Sequence, residues 1–462
     1  MVFNVILACD SNNGIGCNNE LPWNFKEDLQ FFKKKTTSNN YDDNLNVVVM
    51  GRKTWESIPN NFLENRINIV ITSNKEKYSK DNPNVIFIDS FESSIKYIED
   101  NLKYNKVYVI GGSEIYNLAF SSHKINKVYI TRINGNFNCD CYINLPKLKI
   151  LKEFNKSFLN RKDKQMYPVT YQVAQVIPNV EVQYLKMLKS IMLNGEKRMT
   201  RNGYTYSEFG KEFIINLEDG FPLLTTKRMF WKGIVEELLF FIRGDTDSKK
   251  LEDKGIRIWK GNTSKEFLNS VNLDYNEGEM GPMYGYQWRY FNKKYKSTNE
   301  DQGIDQFKNL IALIKKDPHS RRLLMTDFNP SQVEEGVLYP CHSLILQFYV
   351  NDDKLSVKMY QRSADFALGI PFNIASTSLL LTIVAKLCNL KPYQVIITLG
   401  DCHIYDSHIQ PLNDQFNRLC YPLPKLEIPN FTTLEEVENS TLEDYKITNY
   451  KYHPSIKMEM VA

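Results

Sequence analysis

Over the first third of the chain, short β-branched runs alternate with segments of helical spacing. Val2 to Ala8, Val47 to Met50, Ile67 to Thr72, Val85 to Ile88, Val107 to Ile110 and Val128 to Thr131 predict strands. Lys26 to Lys34, Phe91 to Asn101 and Ser113 to Phe120 predict helices between them. This alternation predicts an α/β unit with a mostly parallel central sheet and flanking helices, an architecture that takes nucleotides at its strand ends. Tyr167 to Val173 reads as a last strand and Pro178 as a boundary, which divides the chain into residues 1–177 and 178–462. Val180 to Leu185 already begins an amphipathic helix, so no Gly/Ser-rich or Pro-rich connector intervenes. The Asn-rich stretch Ser38 to Asn46 reads as a surface loop.

Composition narrows the classes. A chain of 462 residues is too long for one ordinary core and suits two units. With 42% hydrophobic and 24% charged residues it is a soluble globular type, and a net charge of +4 offers no basic stripe for nucleic acid, so none is expected to be required; small anionic substrates fit better. Eight scattered cysteines without CxxC spacing point to a reduced, cytoplasmic compartment, and six histidines without an HExxH arrangement point to no metal. Val2 to Ala8 has no basic flank before it and is followed by Cys9-Asp10-Ser11-Asn12-Asn13, so it reads as a strand rather than a signal peptide. Even Leu379 to Leu390 is broken by Thr382, Lys386 and Asn389, so no membrane span is expected.

Three motifs bring chemistry into the first unit. Gly14-Ile15-Gly16 precedes Leu21-Pro22-Trp23, which leads into a helix whose second turn is expected to carry Asp28. Asp28 can share a face with Phe25, Phe31 and Phe32 while Glu27 points elsewhere, so Asp28 reads as a carboxylate facing an apolar pocket and Glu27 as a solvated acid. Burial raises such a pKa and lets the acid share a proton with substrate near neutral pH. Met50-Gly51-Arg52-Lys53-Thr54-Trp55 and Val109-Ile110-Gly111-Gly112-Ser113 each read strand, glycine, helix. Glycine lets the backbone close on a phosphate and the helix start supplies donors. Two such turns suit a dinucleotide, although neither is the GxGxxG fingerprint.

In this order, and over about residues 1 to 177, these motifs resemble the dihydrofolate reductase family. The resemblance implies NADPH held by Gly51, Arg52, Lys53, Thr54, Ser73, Gly111, Gly112 and Ser113, with Asp28 hydrogen-bonding the pterin and assisting its protonation. It further implies that Ala8, Phe32, Ile58, Ile110 and Tyr116 line the folate and nicotinamide pocket and that Thr131 supports Asp28. Arg66 then grips the α-carboxylate of the glutamate tail, a task suited to a planar guanidinium fork. Cys139-Asp140-Cys141-Tyr142-Ile143-Asn144 departs from the family's usual pattern of an acid, Asp-Thr and Phe-Pro, which leaves the local loop open.

The second unit is organised around Tyr339-Pro340-Cys341-His342, a strand ending in Gln361-Arg362-Ser363-Ala364-Asp365, and a Gly369-Ile370-Pro371-Phe372-Asn373 turn. A thiol, a cation and a carboxamide in one segment fit covalent catalysis on an anionic substrate. A lone cysteine beside a histidine is more often a buried small hydrophobe. The whole arrangement, however, resembles thymidylate synthase, from about residue 179 to a closing tail at His453-Pro454 and Ile456-Lys457-Met458-Glu459-Met460. That resemblance implies an α+β unit making dTMP and dihydrofolate from dUMP and 5,10-methylenetetrahydrofolate.

Cys341 would add to carbon six of the uracil, and Asn373 would meet the enolate oxygen and ring N–H, an Asp there favouring cytosine instead. Glu237, unlike a solvated Glu236, would organise waters; Tyr284 would serve proton abstraction; Trp259, Asn262, Gln287 and Trp288 would shape the pocket. Arg201, Arg362, Ser363 and the Arg321-Arg322 pair would bind phosphate, the pair reaching across a homodimer formed through this unit. His403 and Tyr405 would meet the deoxyribose, Asp365 the folate pterin, and His342, Gln361 and Gly369 the substrates, while terminal Ala462 folds over them. Fusions in this order resemble the bifunctional enzymes of protists. A silent half, a hydroxymethylase and a binding protein remain as alternatives.

Overall fold

The computed structural model describes residues 1–37, 44–297 and 303–461. Residues 38–43 of the expected surface loop and Ala462 lie outside the described residues. The chain divides into two compact units, Met1–Pro178 and Asn179–Ala462.

The first unit is built on an eight-stranded sheet in the spatial order Val85–Ile88, Arg66–Ile71, Asn46–Gly51, Val107–Gly111, Phe3–Cys9, Ile125–Ile133, Met166–Val176 and Leu148–Leu159. The first six run parallel to one another, and Met166–Val176 pairs antiparallel to Ile125–Ile133 on one side and Leu148–Leu159 on the other. Strands buried on both faces read as continuous Val/Ile runs, which is why Val47, Val48, Val49 and Met50 are all fully buried. Leu148–Leu159 is an exposed edge strand carrying Lys149, Lys152 and Lys156. With no buried face its sequence lacks alternation, so pattern reading passes over it, while its lysines guard the edge. The helix predicted from Lys26 is Lys26–Thr36; Asp28 therefore stands in its first turn, not its second.

The second unit contains a six-stranded sheet ordered Glu196–Thr200, Gly203–Asn216, Lys391–Tyr405, Lys354–Asp365, Ile345–Asn351 and Leu324–Met325. Only Lys354–Asp365 and Lys391–Tyr405 pair in parallel. Helices Val180–Asn194, Trp231–Ile242 and Gly369–Leu387 join one continuous core with the sheet. Gly369–Leu387 corrects one expectation, since Gly369 to Asn373 opens a helix instead of forming a turn; the helix is long and apolar enough to cross a membrane by length and composition, but it lies largely buried inside the protein. Its burial within the core accounts for the composition, since a helix apolar all round needs protein all round.

Candidate active sites

Asp28 is buried at 8% exposure while Glu27 is exposed, as the helical face requires. Burial pushes its carboxyl up to about 6, and a hydrogen bond from Thr131 pulls in the opposite direction. Ala8 and Thr131 are register partners on adjacent strands, and the Tyr116 hydroxyl donates to the Ile6 carbonyl at 2.8 Å, so Asp28, Thr131 and Tyr116 converge on one strand end. Phe32 and Ile58 are half-buried and pack on the cluster containing Ile110. Arg66 is buried; its guanidinium donates to Thr36 Oγ1 and the Glu64 carbonyl, both at 2.9 Å, and no ion pair engages it among the described residues.

The two glycine turns meet side by side because their strands are neighbours, with Met50 opposite Gly111. A Cβ at Gly51 would stand 3.1 Å from Ile115 and one at Gly112 would stand 3.2 Å from Thr54 Oγ1. Gly111 has φ +129°, a conformation side chains rarely adopt. Helices Arg52–Glu56 and Ser113–Phe120 start there, Ser73 follows the adjoining strand, and Lys53 and Ser73 are exposed. Arg52 forms an ion pair with Glu56 at 2.7 Å on the surface. Glycine turns that lead into helix starts, whose N-caps make no side-chain cap hydrogen bond, fit a dinucleotide diphosphate.

The divergent loop is ordered. Cys141–Tyr142 pairs with Gly14–Gly16, buried Cys139 packs where a Gly14 Cβ would lie 2.5 Å from its Sγ, and the Asp10 carboxylate accepts from the N–H of Asn12, Gly14 and Phe137.

In the second unit, the Cys341 N–H donates to Tyr284 Oη at 3.2 Å, and the same hydroxyl shares a hydrogen bond with Cys341 Sγ at 3.3 Å in which either atom can donate. Local sequence dictates this contact. A Cβ at Gly285 would lie 2.2 Å from the Phe241 carbonyl, and this close approach stacks Tyr284 on Phe241 with ring centroids 5.1 Å apart. Tyr284 itself holds φ 47°, a strained conformation for an aromatic residue that its surroundings must enforce. His342 stacks on the Tyr284 ring at 4.6 Å and donates to or accepts from Ser343 Oγ at 2.7 Å; burial lowers it to about 4, so it is neutral.

Arg362 braces the thiol loop, donating to the Pro340 and Tyr339 carbonyls at 2.8 Å and covering the Tyr339 ring at 4.7 Å. Tyr339 thus has a packing role under the Arg362 guanidinium. Gln361 Nε2 donates to Asn373 Oδ1 and to the Ser363 carbonyl, each at 3.0 Å, which fixes the carboxamide with its Nδ2 turned away from Gln361. Asp365 Oδ1 accepts from Ala367 N–H at 2.8 Å at the corner before Gly369, and Asp365 is the register partner of His403. His403 Nδ1 lies 3.1 Å from Asp401, and its ring is perpendicular to Tyr405.

Glu237 is buried, its Oε1 accepts from Trp259 Nε1–H at 2.8 Å, and burial pushes it up to about 7. Glu236 is not solvated as expected: it is buried and paired with Lys254 at 2.6 Å, because ten of the twelve residues of Trp231–Ile242 lie within the core. Asn262 is buried and its Nδ2 has no partner among the described residues, whereas Trp288 stacks on Phe307 and packs edge-on to Phe241 as core. Arg201, Arg321 and Arg322 are exposed, outside this hydrogen-bonded cluster. One group escaped pattern reading altogether: Asp327, buried at 1% exposure.

A thymidylate synthase family model matches residues 182–462 and a dihydrofolate reductase model residues 2–175. The bifunctional dihydrofolate reductase-thymidylate synthase of Paramecium tetraurelia is 40% identical over 476 residues, covering 100% of this chain and 99% of its own. Such an enzyme of Arabidopsis thaliana is 37% identical, covering 100% and 88%, and that of Plasmodium chabaudi 36%, covering 90% and 83%. The chain belongs to the bifunctional dihydrofolate reductase-thymidylate synthase family. Its two activities are the synthesis of dTMP from dUMP with 5,10-methylenetetrahydrofolate and the reduction of dihydrofolate with NADPH. The first reaction's folate product is the second's substrate.

Proposed function

We propose that residues 1–177 carry the reductase activity and residues 178–462 the synthase activity, with the site residues acting as follows. Asp28 binds the pterin and holds a proton at its carboxyl near neutral pH, steadied by Thr131, while Ala8, Phe32, Ile58, Ile110 and Tyr116 exclude water around it. Gly51, Arg52, Lys53, Thr54, Ser73, Gly111, Gly112 and Ser113 hold NADPH, which supplies the hydride. Arg66 receives the substrate carboxylate; its buried guanidinium lacking an ion pair among the described residues supports this. Arg66→Ala is expected to raise KM for dihydrofolate by about 10- to 100-fold, the worth of a charge-assisted bond, with kcat changed far less and dTMP synthesis untouched. Steady-state NADPH oxidation against dihydrofolate concentration reads this directly.

In the synthase unit Cys341 adds to carbon six of dUMP. The S–H bond breaks with its proton passing to the water space beside Glu237, an S–C bond forms, the C5=C6 π bond opens, and its electron pair reaches the carbon-four carbonyl oxygen facing Asn373. The Tyr284 contact to Sγ carries this reading. 5,10-Methylenetetrahydrofolate supplies the one-carbon unit and a hydride. Tyr284 and Glu237 move protons, with Trp259 and Asn262 framing the water space. His342, Gln361 and Gly369 shape the base and folate contacts, Asp365 meets the pterin, and His403 and Tyr405 meet the sugar. Arg201, Arg362 and Ser363 bind the phosphate together with Arg321 and Arg322 of the partner subunit.

That homodimer is supported by the sheet face opposite the core, which exposes Ile214, Ile345, Tyr349 and Tyr360. Mixing inactive Cys341→Ala with inactive Arg322→Ala protein and allowing subunits to exchange is expected to restore about a quarter of wild-type synthase activity, because half the dimers then contain one intact site. No restoration would mean that Arg322 serves its own protomer. We assign the enzyme to the cytoplasm, on the support of eight free cysteines.

A further inference from the structure

Strand Lys391–Tyr405 carries an acid outside the reaction steps. Asp401 and His403 alternate on it and so project from one face. Their register partners are Ser363 and Asp365 on one side and Phe209 and Ser207 on the other, which sets the pair between a residue assigned to the phosphate and one assigned to the pterin. His403 is 9% exposed, and its Nδ1 lies 3.1 Å from Asp401 Oδ1. Its Nε2 makes no hydrogen bond among the described residues. Asp401 is half-exposed, and the His403 hydrogen bond above all, helped by the charge of Arg198 and by Ser207, holds its carboxyl below the ordinary carboxylate range. An ionised carboxylate has only acceptors, so Nδ1 carries the hydrogen of this bond and a neutral ring keeps its lone pair at Nε2.

We propose that Asp401 is a positioning residue for the nucleotide's sugar: it fixes His403 in the tautomer whose Nε2 accepts the hydrogen of the 3′-hydroxyl. The sugar of dUMP has one free hydroxyl, and a hydroxyl has a single hydrogen to give and lone pairs to receive. With that hydrogen given to Nε2, Tyr405, whose ring stands perpendicular to His403 at 5.4 Å, can meet the same oxygen only as a donor. Burial above all raises the Tyr405 hydroxyl beyond its ordinary range, so it keeps the hydrogen this role needs. The two groups together then require a hydroxyl at this carbon. A bare C–H there leaves both unpaired, and a 3′-phosphate offers Nε2 no hydrogen while bringing negative charge toward Asp401. The site thereby separates nucleotides with a free 3′-hydroxyl from those without one. This inference rests on His403 meeting the sugar, and a separate variant tests that reading.

Steady-state synthase kinetics on the full-length enzyme at about pH 8, where an ordinary imidazole is neutral, compare dUMP with 2′,3′-dideoxyuridine 5′-monophosphate, which lacks the hydroxyl. The wild type is expected to prefer dUMP by about 100-fold in kcat/KM, and His403→Ala to lose most of that preference. Asp401→Asn keeps the shape of the side chain but admits the other tautomer. It is expected to raise KM for dUMP about tenfold with kcat within about twofold, and to leave the dideoxy substrate within about twofold of wild type, so that the preference falls to about tenfold. Asp401→Ala is expected to show the same substrate-selective loss and serves where the asparagine variant does not fold. Asp401 variants that weaken both substrates equally, or that keep the wild-type preference while His403→Ala loses it, overturn the proposal and leave the sugar contact standing. A wild type indifferent to the hydroxyl, or a His403→Ala that keeps the preference, overturns both.

Discussion

Replacing Cys341 by alanine is expected to lower dTMP synthesis by at least about 10⁴-fold, because covalent addition is the step that makes carbon five nucleophilic and no second group can replace it. NADPH oxidation with added dihydrofolate should remain within about twofold of wild type. The selectivity follows from where the thiol sits: the hydrogen bond shared with Tyr284, the Arg362 brace on Tyr339 and Pro340, and the Gln361–Asn373 pair all belong to residues 179–462. An alanine removes only the Sγ contact to Tyr284 and leaves the rest standing, since the Cys341 N–H and carbonyl still bond Tyr284 and the Arg362 N–H. Unaltered circular dichroism with synthase activity lost would separate chemistry from folding. Substantial residual dTMP synthesis would instead assign the attack elsewhere.

The mirror-image result is expected from Asp28→Asn: reductase kcat falls by about 10²- to 10⁴-fold, the usual worth of a positioned acid, and dTMP synthesis is unaffected. A pH dependence with a definite sign accompanies it. The Asp28 carboxyl stands at about 6 in the fold against an ordinary 3.8, chiefly because burial disfavours its charge. Hydride-step rates in the wild type are therefore expected to fall as pH rises through about 6 and the acid loses its proton, whereas the residual rate of the asparagine variant should be flat over the same range. Stability moves with it. A raised acid takes up a proton on folding, so the wild type should lose up to roughly 3 kcal/mol relative to Asp28→Asn as pH rises from about 4 to about 6.5, and the difference should level off above. Thermal unfolding of the reductase transition across that range measures it; a wild type that gains stability relative to the variant would contradict the assignment of a raised carboxyl.

Much of this architecture was legible because burial writes itself into sequence. The Val47 to Met50 and Val107 to Ile110 runs are apolar on both faces, and both became central parallel strands. Asp28 was separable from Glu27 by helical spacing alone, and the distinction rests on one face of one helix. Where burial leaves no periodicity, reading failed. The exposed edge strand Leu148–Leu159 has no buried face, and the helix Trp231–Ile242, buried from Gly233 onward, gives Glu236 and Glu237 the same context, so one was wrongly taken as solvated. Gly369 to Asn373 looked like a turn because Gly and Pro dominate it, yet Pro371 falls in the first helical turn, where its missing N–H costs nothing. Asp327 carried no signal at all. No periodicity marks a single acid between Thr326 and Phe328, and only the fold shows it buried behind Pro340.

The account's central claim is that one chain makes and consumes dihydrofolate. The direct measurement combines wild-type enzyme with dUMP, 5,10-methylenetetrahydrofolate and NADPH and follows dTMP and nicotinamide oxidation together. The account predicts about one NADPH oxidised for each dTMP formed, with dihydrofolate held low. It also predicts that Cys341→Ala stops both signals and Asp28→Asn stops only NADPH oxidation while dihydrofolate accumulates. Formation of dTMP without NADPH oxidation in the wild type, even with added dihydrofolate, would contradict it.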